Sequence, residues 1–457
     1  MINKGIFREY DIRGIVDKDL TDATVTQLAK GFATYFVQKG CTSVSLGRDV
    51  RLSGKRFRDI MATEFVAAGL HVIDLGEVTT PMSYYSTFKL PIQGGVMITG
   101  SHNPSDYNGF KISLGKTTIY GDEIQTIYRI IESGKFATAN GKVELKDTRA
   151  VYLDDVVSRI KLGKKIKVVI DSGNATGGLI APEFYNRIGC EVIELFSEPD
   201  GRFPNHHPDP TVDYNLRYLI AKVKETGADV GIGFDGDSDR IGAVDDKGNI
   251  IRGDKLLAIL ARDVLSRNPG AEIVFDVKCS QGLIEDIEAH GGKPIMWKTG
   301  HSLIKSKMKE INGLVAGEMS GHIFMGENYF GYDDAIFDGA RLIQIISNTD
   351  KKLSEIHESI PTYYSTPETR LDVVNDEVKF EMVKKAIVYF KANHEVIDID
   401  GVRVLFGDGW GLIRASNTQP VIVVRFEAKT QKRMDEIQDL MLGKLKEYGE
   451  FTISLGH

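Results

Sequence analysis

The chain has 457 residues, 42% of them hydrophobic and 26% charged, so its length alone predicts about three domains with separate cores. A formal net charge of −7 with both signs mixed argues against a nucleic-acid binder and leaves anionic small molecules to local arginines. No signal peptide or run of about 18 apolar residues is visible, and Cys41, Cys190 and Cys279 lie too far apart for a metal or disulfide framework, so a reducing cytoplasm is the expected home.

The elements predicted in chain order form three copies of one scheme. The first copy has a strand near Val44-Ser45-Leu46 followed by Gly47-Arg48-Asp49. A helix over roughly 55–68, the strand His71 to Leu75 and a short helix around 83–88 come next. A further apolar strand, Gly95 to Ile98, runs into Ser101. The second copy starts with Lys167 to Asp171 and a Gly-rich turn at 173–178. It continues through Glu191 to Leu195 and ends in Asp229 to Phe234. The third runs from Glu272 to Asp276, through a helix near 283–290 and Pro294 to Trp297, to Leu314-Val315-Ala316. Strands alternating with helices predict βαβ units and mostly parallel sheets. The third strand of each copy runs into a polar loop, and ligands of such sheets bind beyond the strands' carboxyl ends. The three loops are therefore expected to converge on one cleft.

After about Ser365 the pattern changes. Val383, Ala386, Ile387 and Phe390 fall on one helical face, and Ile437, Leu440, Met441 and Leu445 mark a last helix. Between them lie strand-like runs at 402–406, 411–414 and 421–426, with a hairpin signal at Gly407-Asp408-Gly409. This predicts an antiparallel α+β tail, joined through a hinge at 362–367.

Four polar loops carry the chemistry. Thr99-Gly100-Ser101-His102-Asn103-Pro104 puts a serine hydroxyl beside a histidine at the end of a buried strand. A free serine is a weak nucleophile and needs help; read alone, the run is also a helix cap followed by an Asn-Pro turn. Lys111 lies near enough in sequence to place a cation by the same group. Asp235-Gly236-Asp237-Ser238-Asp239-Arg240 has three alternating carboxylates and a turn glycine, a pattern for a hard cation with oxygen ligands. It is not an EF-hand, because Arg240 stands where that loop needs glycine. Gly317-Glu318-Met319-Ser320-Gly321-His322 is read as extended, with Glu318 and Ser320 pointing the same way toward sugar hydroxyls. His322 is a candidate proton carrier. Arg414-Ala415-Ser416-Asn417-Thr418 offers a planar fork and hydroxyls to a phosphate; a plain hairpin loop is the simpler alternative. Tyr10 and Arg13 add a cationic loop near the N-terminus, and Lys278 and His301 follow strands of the third copy.

These loops, in this order and spanning nearly the whole chain, resemble the α-D-phosphohexomutase family, in particular its bacterial phosphomannomutase/phosphoglucomutase branch. The resemblance implies three related α/β domains with mixed, mostly parallel sheets plus a C-terminal α+β domain around a central cleft. The expected boundaries are 1–147, 148–250, 251–364 and 365–457. It implies that Ser101 is carried as phosphoserine, with Mg²⁺ held at Ser101, Asp235, Asp237 and Asp239. Glu318 and Ser320 would contact sugar hydroxyls, and Arg414, Ser416, Asn417 and Thr418 would hold the substrate phosphate. Ser101, His102, Lys111, Arg240 and His322 form the expected catalytic set; Tyr10, Arg13, Lys278 and His301 are expected to bind substrate. The implied activity is reversible interconversion of hexose 1-phosphate and hexose 6-phosphate, for mannose and glucose, with glucose 1,6-bisphosphate or mannose 1,6-bisphosphate as intermediate and activator. Hexose phosphates are the expected partners, without nucleic acid or membrane, acting on a monomer or homodimer. Phosphoglucosamine mutase, a metal-dependent phosphatase using the same serine, and a catalytically silent sugar-phosphate sensor are the alternatives.

Overall fold

The computed structural model describes residues 2–416 and 421–454, with the backbone alone at Ser454. Its first three sheets share one topology. In the first, Ser43–Arg48 lies between His71–Glu77 and Gly94–Ile98, parallel to both, and Tyr107–Leu114 returns antiparallel beside Gly94–Ile98. In the second, Lys167–Asp171 lies between Glu191–Leu195 and Val230–Phe234, with Ile241–Asp245 antiparallel outside the latter. In the third, Glu272–Asp276 lies between Lys293–Trp297 and Val315–Gly317, with Ile323–Met325 antiparallel outside it. The polar loops at 99–104, 235–240 and 317–322 each lie at the reversal between the third and fourth strands of this shared motif. The internal repeat is thus a repeat of topology.

The strands that lead into these loops are apolar along both faces because helices cover the sheets. Gly94–Ile98, Val230–Phe234 and Val315–Gly317 are buried at every position. The helix Thr80–Lys89 starts at a Thr79 cap, whose hydroxyl accepts from Met82 N at 3.2 Å, with proline in its first turn. That start aims the Thr80 N–H at the second unit.

The C-terminal sheet is antiparallel through Val402–Leu405, Gly409–Ala415 and Val421–Ala428. The helices Asp376–Asn393 and Gln431–Lys446 bury Val383, Ala386, Phe390, Ile437, Met441 and Leu445 against it, with Ile387 partly buried. Each such side chain contributes about 1.5–3 kcal/mol by leaving water. Leu440 departs from the expected apolar face: it is 46% exposed, because it sits one position off the Ile437–Met441 stripe. The segment expected as a hinge is partly built into the C-terminal sheet, since Tyr364–Ser365 pairs with Glu427 and Ala428.

Candidate active site

Ser101 lies on a turn with φ +48°, in the left-handed region, and is 2% exposed. Its Oγ donates to Asp235 Oδ2 at 2.8 Å and lies 3.2 Å from His102 Nδ1. The aspartate loop comes this close because Gly236 has no side chain: a Cβ there would sit 2.2 Å from the Ser101 carbonyl oxygen. Ser238, also left-handed at φ +62°, turns the loop so that Asp235, Asp237 and Asp239 face one another. Their ligand oxygens fall within 4.8 Å of one another, and all three residues are fully buried. Burial, then the charges of Asp237 and Asp239, push the Asp235 carboxyl well above its ordinary range.

Cationic groups surround this cluster. Lys111, on the returning strand of the first sheet, donates to Asp237 Oδ2 at 2.7 Å and to Asp239 Oδ2. Against the cost of burial, Lys111 holds Asp237 below the usual carboxylate range. The helix start at Thr80 donates twice to Asp237, from N to its carbonyl at 2.9 Å and from Oγ1 to Oδ2 at 2.6 Å. Asp237 Oδ1 and Asp239 Oδ1 remain buried without a hydrogen-bond partner. Three converging carboxylates with two oxygens left over fit a divalent cation with oxygen ligands.

Arg240 Nε donates to His322 Nε2 at 2.9 Å, and His322 Nδ1 lies 2.9 Å from Asp333 Oδ2. His322 Nδ1 also lies 3.1 Å from the Asp239 carbonyl, so Nδ1 faces acceptors while Nε2 faces the Arg240 donor, the arrangement of an imidazole with its proton on Nδ1. Asp333 also binds Lys305 Nζ at 2.9 Å. The His301 and His322 rings stack, centroids 5.3 Å apart, and burial with Lys305 pushes His301 well below its usual value.

From His301 the polar chain continues across units. Tyr10 OH donates to the Thr299 carbonyl at 2.8 Å, and its ring lies edge-on to His301 at 6.1 Å. Glu318 Oε1 accepts from Gly300 N at 2.5 Å. Asp400 Oδ2 accepts from both Thr299 N and Arg414 Nε at 3.0 Å, which joins the fourth loop to the third sheet. Lys278 Nζ binds Glu368 Oε2 at 3.0 Å, and Glu368 is lowered to about 2, first by Lys278. Arg13 reaches Asn103 Oδ1 at 2.5 Å and Asp11.

The structure therefore brings Ser101, His102, Lys111, Asp235, Asp237, Asp239, Arg240 and His322 into one cluster. Tyr10, His301, Glu318 and Arg414 join it through a chain of contacts. Ser416 lies at the end of Gly409–Ala415, its carbonyl accepting from Lys379 Nζ at 2.7 Å. Asn417 and Thr418 fall outside the described residues. One expectation is overturned: 318–321 is a turn closed by Gly321 N on the Glu318 carbonyl at 3.0 Å, not an extended stretch. Glu318 is accordingly buried while Ser320 is only half-buried. Sequence reasoning missed Arg51, Asp49, Thr80, Asp333, Asp400 and Glu368. The signal available for the first two was an Asp-x-Arg pair at the carboxyl end of a buried strand.

Three topologically equivalent α/β units and an antiparallel tail, with a serine, a carboxylate cluster and an arginine on facing loops, define a multidomain protein built to handle anionic ligands. Models of the phosphoglucomutase/phosphomannomutase family match nearly end to end. Alpha/beta/alpha domain I covers residues 4–138, domain II 150–248, domain III 252–364, and the C-terminal domain 368–444. A phosphomannomutase/phosphoglucomutase of Pseudomonas putida is 48% identical over 443 residues, 96% of this chain and 95% of that protein. A phosphoglucomutase of Neisseria gonorrhoeae is 46% identical over 442 residues, covering 96% of each. The crystal structure of a phosphoglucomutase/phosphomannomutase family protein from Burkholderia thailandensis superposes with a TM-score of 0.93 at 41% identity, covering 99% of this chain and 100% of that one. The chain belongs to the phosphoglucomutase/phosphomannomutase family.

Proposed function

We propose that this protein interconverts hexose 1-phosphates and hexose 6-phosphates, of both mannose and glucose, by way of phosphorylated Ser101 and a hexose 1,6-bisphosphate. The observation that carries the reading is Ser101 Oγ at 2.8 Å from Asp235, inside a three-carboxylate cluster flanked by Lys111 and Arg240. The names of the relatives in P. putida and N. gonorrhoeae support it.

O1 and O6 lie at opposite ends of a hexose, so the phosphoryl group needs a carrier between them. The free sugar hydroxyl attacks phosphorus on Ser101. The new sugar O–P bond forms as the Ser101 O–P bond breaks, and the hydroxyl proton leaves to a base. Lys111 is clamped as an ammonium between two carboxylates, whereas His322 accepts from Arg240 at Nε2 and has Nδ1 set between the Asp239 carbonyl and Asp333. His322 is therefore assigned as that base, with Arg240 moving from Nε2 onto the transferred phosphoryl oxygens. The bisphosphate then turns end over end, and its other phosphoryl group returns to the Ser101 oxygen.

Asp235, Asp237, Asp239 and an oxygen at Ser101 would hold Mg²⁺, which supplies positive charge beside the transferring group. The protein's share is positioning and charge neutralisation, as in other phosphoryl transfers. Arg414, with Ser416 and the neighbouring Asn417 and Thr418, would grip the phosphate that stays on the sugar, with Tyr10, Arg13, Lys278 and His301 around the sugar. Glu318 and Ser320 would meet O3 and O4, which exchange places when the sugar turns. Glucose and mannose differ at O2, so both are substrates, with kcat/KM values less than about 10⁴-fold apart, the scale of a site that reads one hydroxyl. Movement of the C-terminal unit about 362–367 would shut out water.

Intact-mass analysis before and after adding glucose 1,6-bisphosphate, with mapping of the modified residue, tests the reading. One phosphoryl group on Ser101, together with isomerisation of both 1-phosphates, is expected. Isomerisation in which labelled phosphate never visits the protein overturns it.

A further inference from the structure

Arg51 lies between the strand Ser43–Arg48 and the helix Gly54–Ala67, and its guanidinium is internal, 1% exposed. A guanidinium has five N–H donors in a fixed fork, and here it makes five contacts. Nη1 donates to the carbonyls of Pro104 at 2.5 Å and Tyr107 at 2.9 Å. Nη2 donates to the carbonyls of Ser101 at 2.8 Å and Asn103 at 2.6 Å, and Nε binds Asp49 Oδ2 at 3.2 Å. Three of the five acceptors thus belong to the turn that carries Ser101, and a fourth, the Tyr107 carbonyl, opens the strand that returns from it. The same Asp49 carboxylate accepts from Arg51 N at 2.9 Å and Gly100 N at 3.3 Å, clasping the turn from its other end.

Three further contacts fix this arrangement. A Cβ on Gly100 would lie 2.6 Å from Arg51 Cζ, so only glycine lets the guanidinium under the turn. From the second unit, Phe203 presents its ring 5.1 Å from the guanidinium carbon, and Gly201 packs on the Arg51 backbone. One side chain therefore ties the serine turn to the unit that carries the three aspartates.

Ser101 needs such a tie. A left-handed φ is disfavoured for serine and persists only where the surroundings over-determine it. That backbone conformation aims Oγ at Asp235.

We propose that Arg51 is a positioning residue for phosphoryl transfer: through the turn carbonyls it holds Ser101 Oγ on the line between Asp235 and the substrate, touching neither. The proposal rests on the reading of Ser101 as phosphoryl carrier. The side chain has no open face toward the cleft, so its loss acts on geometry and leaves the sugar-phosphate contacts alone.

The test uses the full-length Arg51→Lys and Arg51→Ala proteins beside wild type. It measures kcat and KM for glucose 1-phosphate, the rate of Ser101 phosphorylation by glucose 1,6-bisphosphate, and sugar-phosphate binding sites per chain by calorimetry. Lysine keeps the charge but cannot reach four carbonyls. In Arg51→Lys, kcat and the phosphorylation rate fall together by about 10²-fold, the cost of misplacing a reacting group by about 1 Å, while KM stays within about threefold. Binding sites per chain stay at the wild-type value. A kcat within about threefold of wild type, or a kcat loss matched by lost binding sites, overturns the proposal. If Arg51→Ala fails to fold, Arg51→Lys decides; if neither folds, Asp49→Asn carries the same comparison. Wild-type protein that isomerises neither hexose 1-phosphate overturns the proposed function, whereas an active wild type with a fully active Arg51→Lys overturns the positioning role alone.

Discussion

Ser101 Oγ donates to Asp235 Oδ2 at 2.8 Å across 134 residues of sequence. The contact joins two copies of the same sheet at the same topological point, the reversal between third and fourth strands. The internal repeat thereby builds the site: each copy offers one loop, and different residues on equivalent loops divide the chemistry.

Replacing Ser101 with alanine removes the proposed carrier and leaves the sugar-phosphate contacts intact. Turnover should fall by at least about 10³-fold, as when a residue that forms a covalent intermediate is removed. Calorimetric binding of glucose 1-phosphate should persist. Loss of binding together with turnover would move Ser101 from carrier to substrate ligand.

The carboxylate cluster predicts a cation-dependent stability. Three buried, facing carboxylates repel one another, and a divalent cation bound only by the folded state relieves this. At a concentration 100 times its Kd, such a cation stabilises by about 2.7 kcal/mol. Mg²⁺ should therefore raise Tm, EDTA should reverse the shift and abolish turnover, and Asp239→Asn should shrink the Tm response. An unchanged rate after complete chelation would remove the cation from the mechanism.

The loops were legible in the sequence because each combines an apolar strand with a short polar run of unusual residue types. Their partners were not. Asp333 reaches His322, Asp400 reaches Arg414, and Glu368 reaches Lys278 through chain reversals that no local pattern encodes. Lys111 was legible as a cation near Ser101, but its partners Asp237 and Asp239 lie more than 120 residues away. The Glu318–Ser320 stretch misled for another reason. Spacing alone implies alternation, whereas Gly321, at φ +87°, closes a turn there. Leu440 fits a helical apolar spacing, yet that face of the helix meets solvent.

Arg414 is 6% exposed and held by Asp400, so its guanidinium is fixed before a ligand arrives. Hydrogen bonds to charged groups are worth about 1.5–3 kcal/mol, which predicts a KM increase of about 10- to 150-fold in Arg414→Ala. The effect on kcat should be smaller, because the gripped phosphate is not the one transferred. Unchanged KM and kcat together would place Arg414 outside the site.

Away from the cleft, His206 Nε2 lies 2.9 Å from Asp171 Oδ1 while Nδ1 lies 2.9 Å from the His207 carbonyl. Both ring nitrogens face acceptors, so the arrangement favours the imidazolium. Against burial, the hydrogen bond and charge of Asp171 raise the His206 pKa above 6.5. A raised folded-state value means that the stabilisation is complete below the unfolded-state pKa and is lost as pH rises through the folded-state value. The pair pins the 196–216 connection to the end of Lys167–Asp171, and through Phe203 that connection reaches Arg51. Asp171→Asn keeps an acceptor but removes the charge, which isolates the effect. The Tm difference between wild type and Asp171→Asn should be largest below pH 6.5 and shrink steadily on the alkaline side. A difference that grows with pH would mean that His206 is neutral in the folded protein and gives Asp171 only an ordinary hydrogen bond.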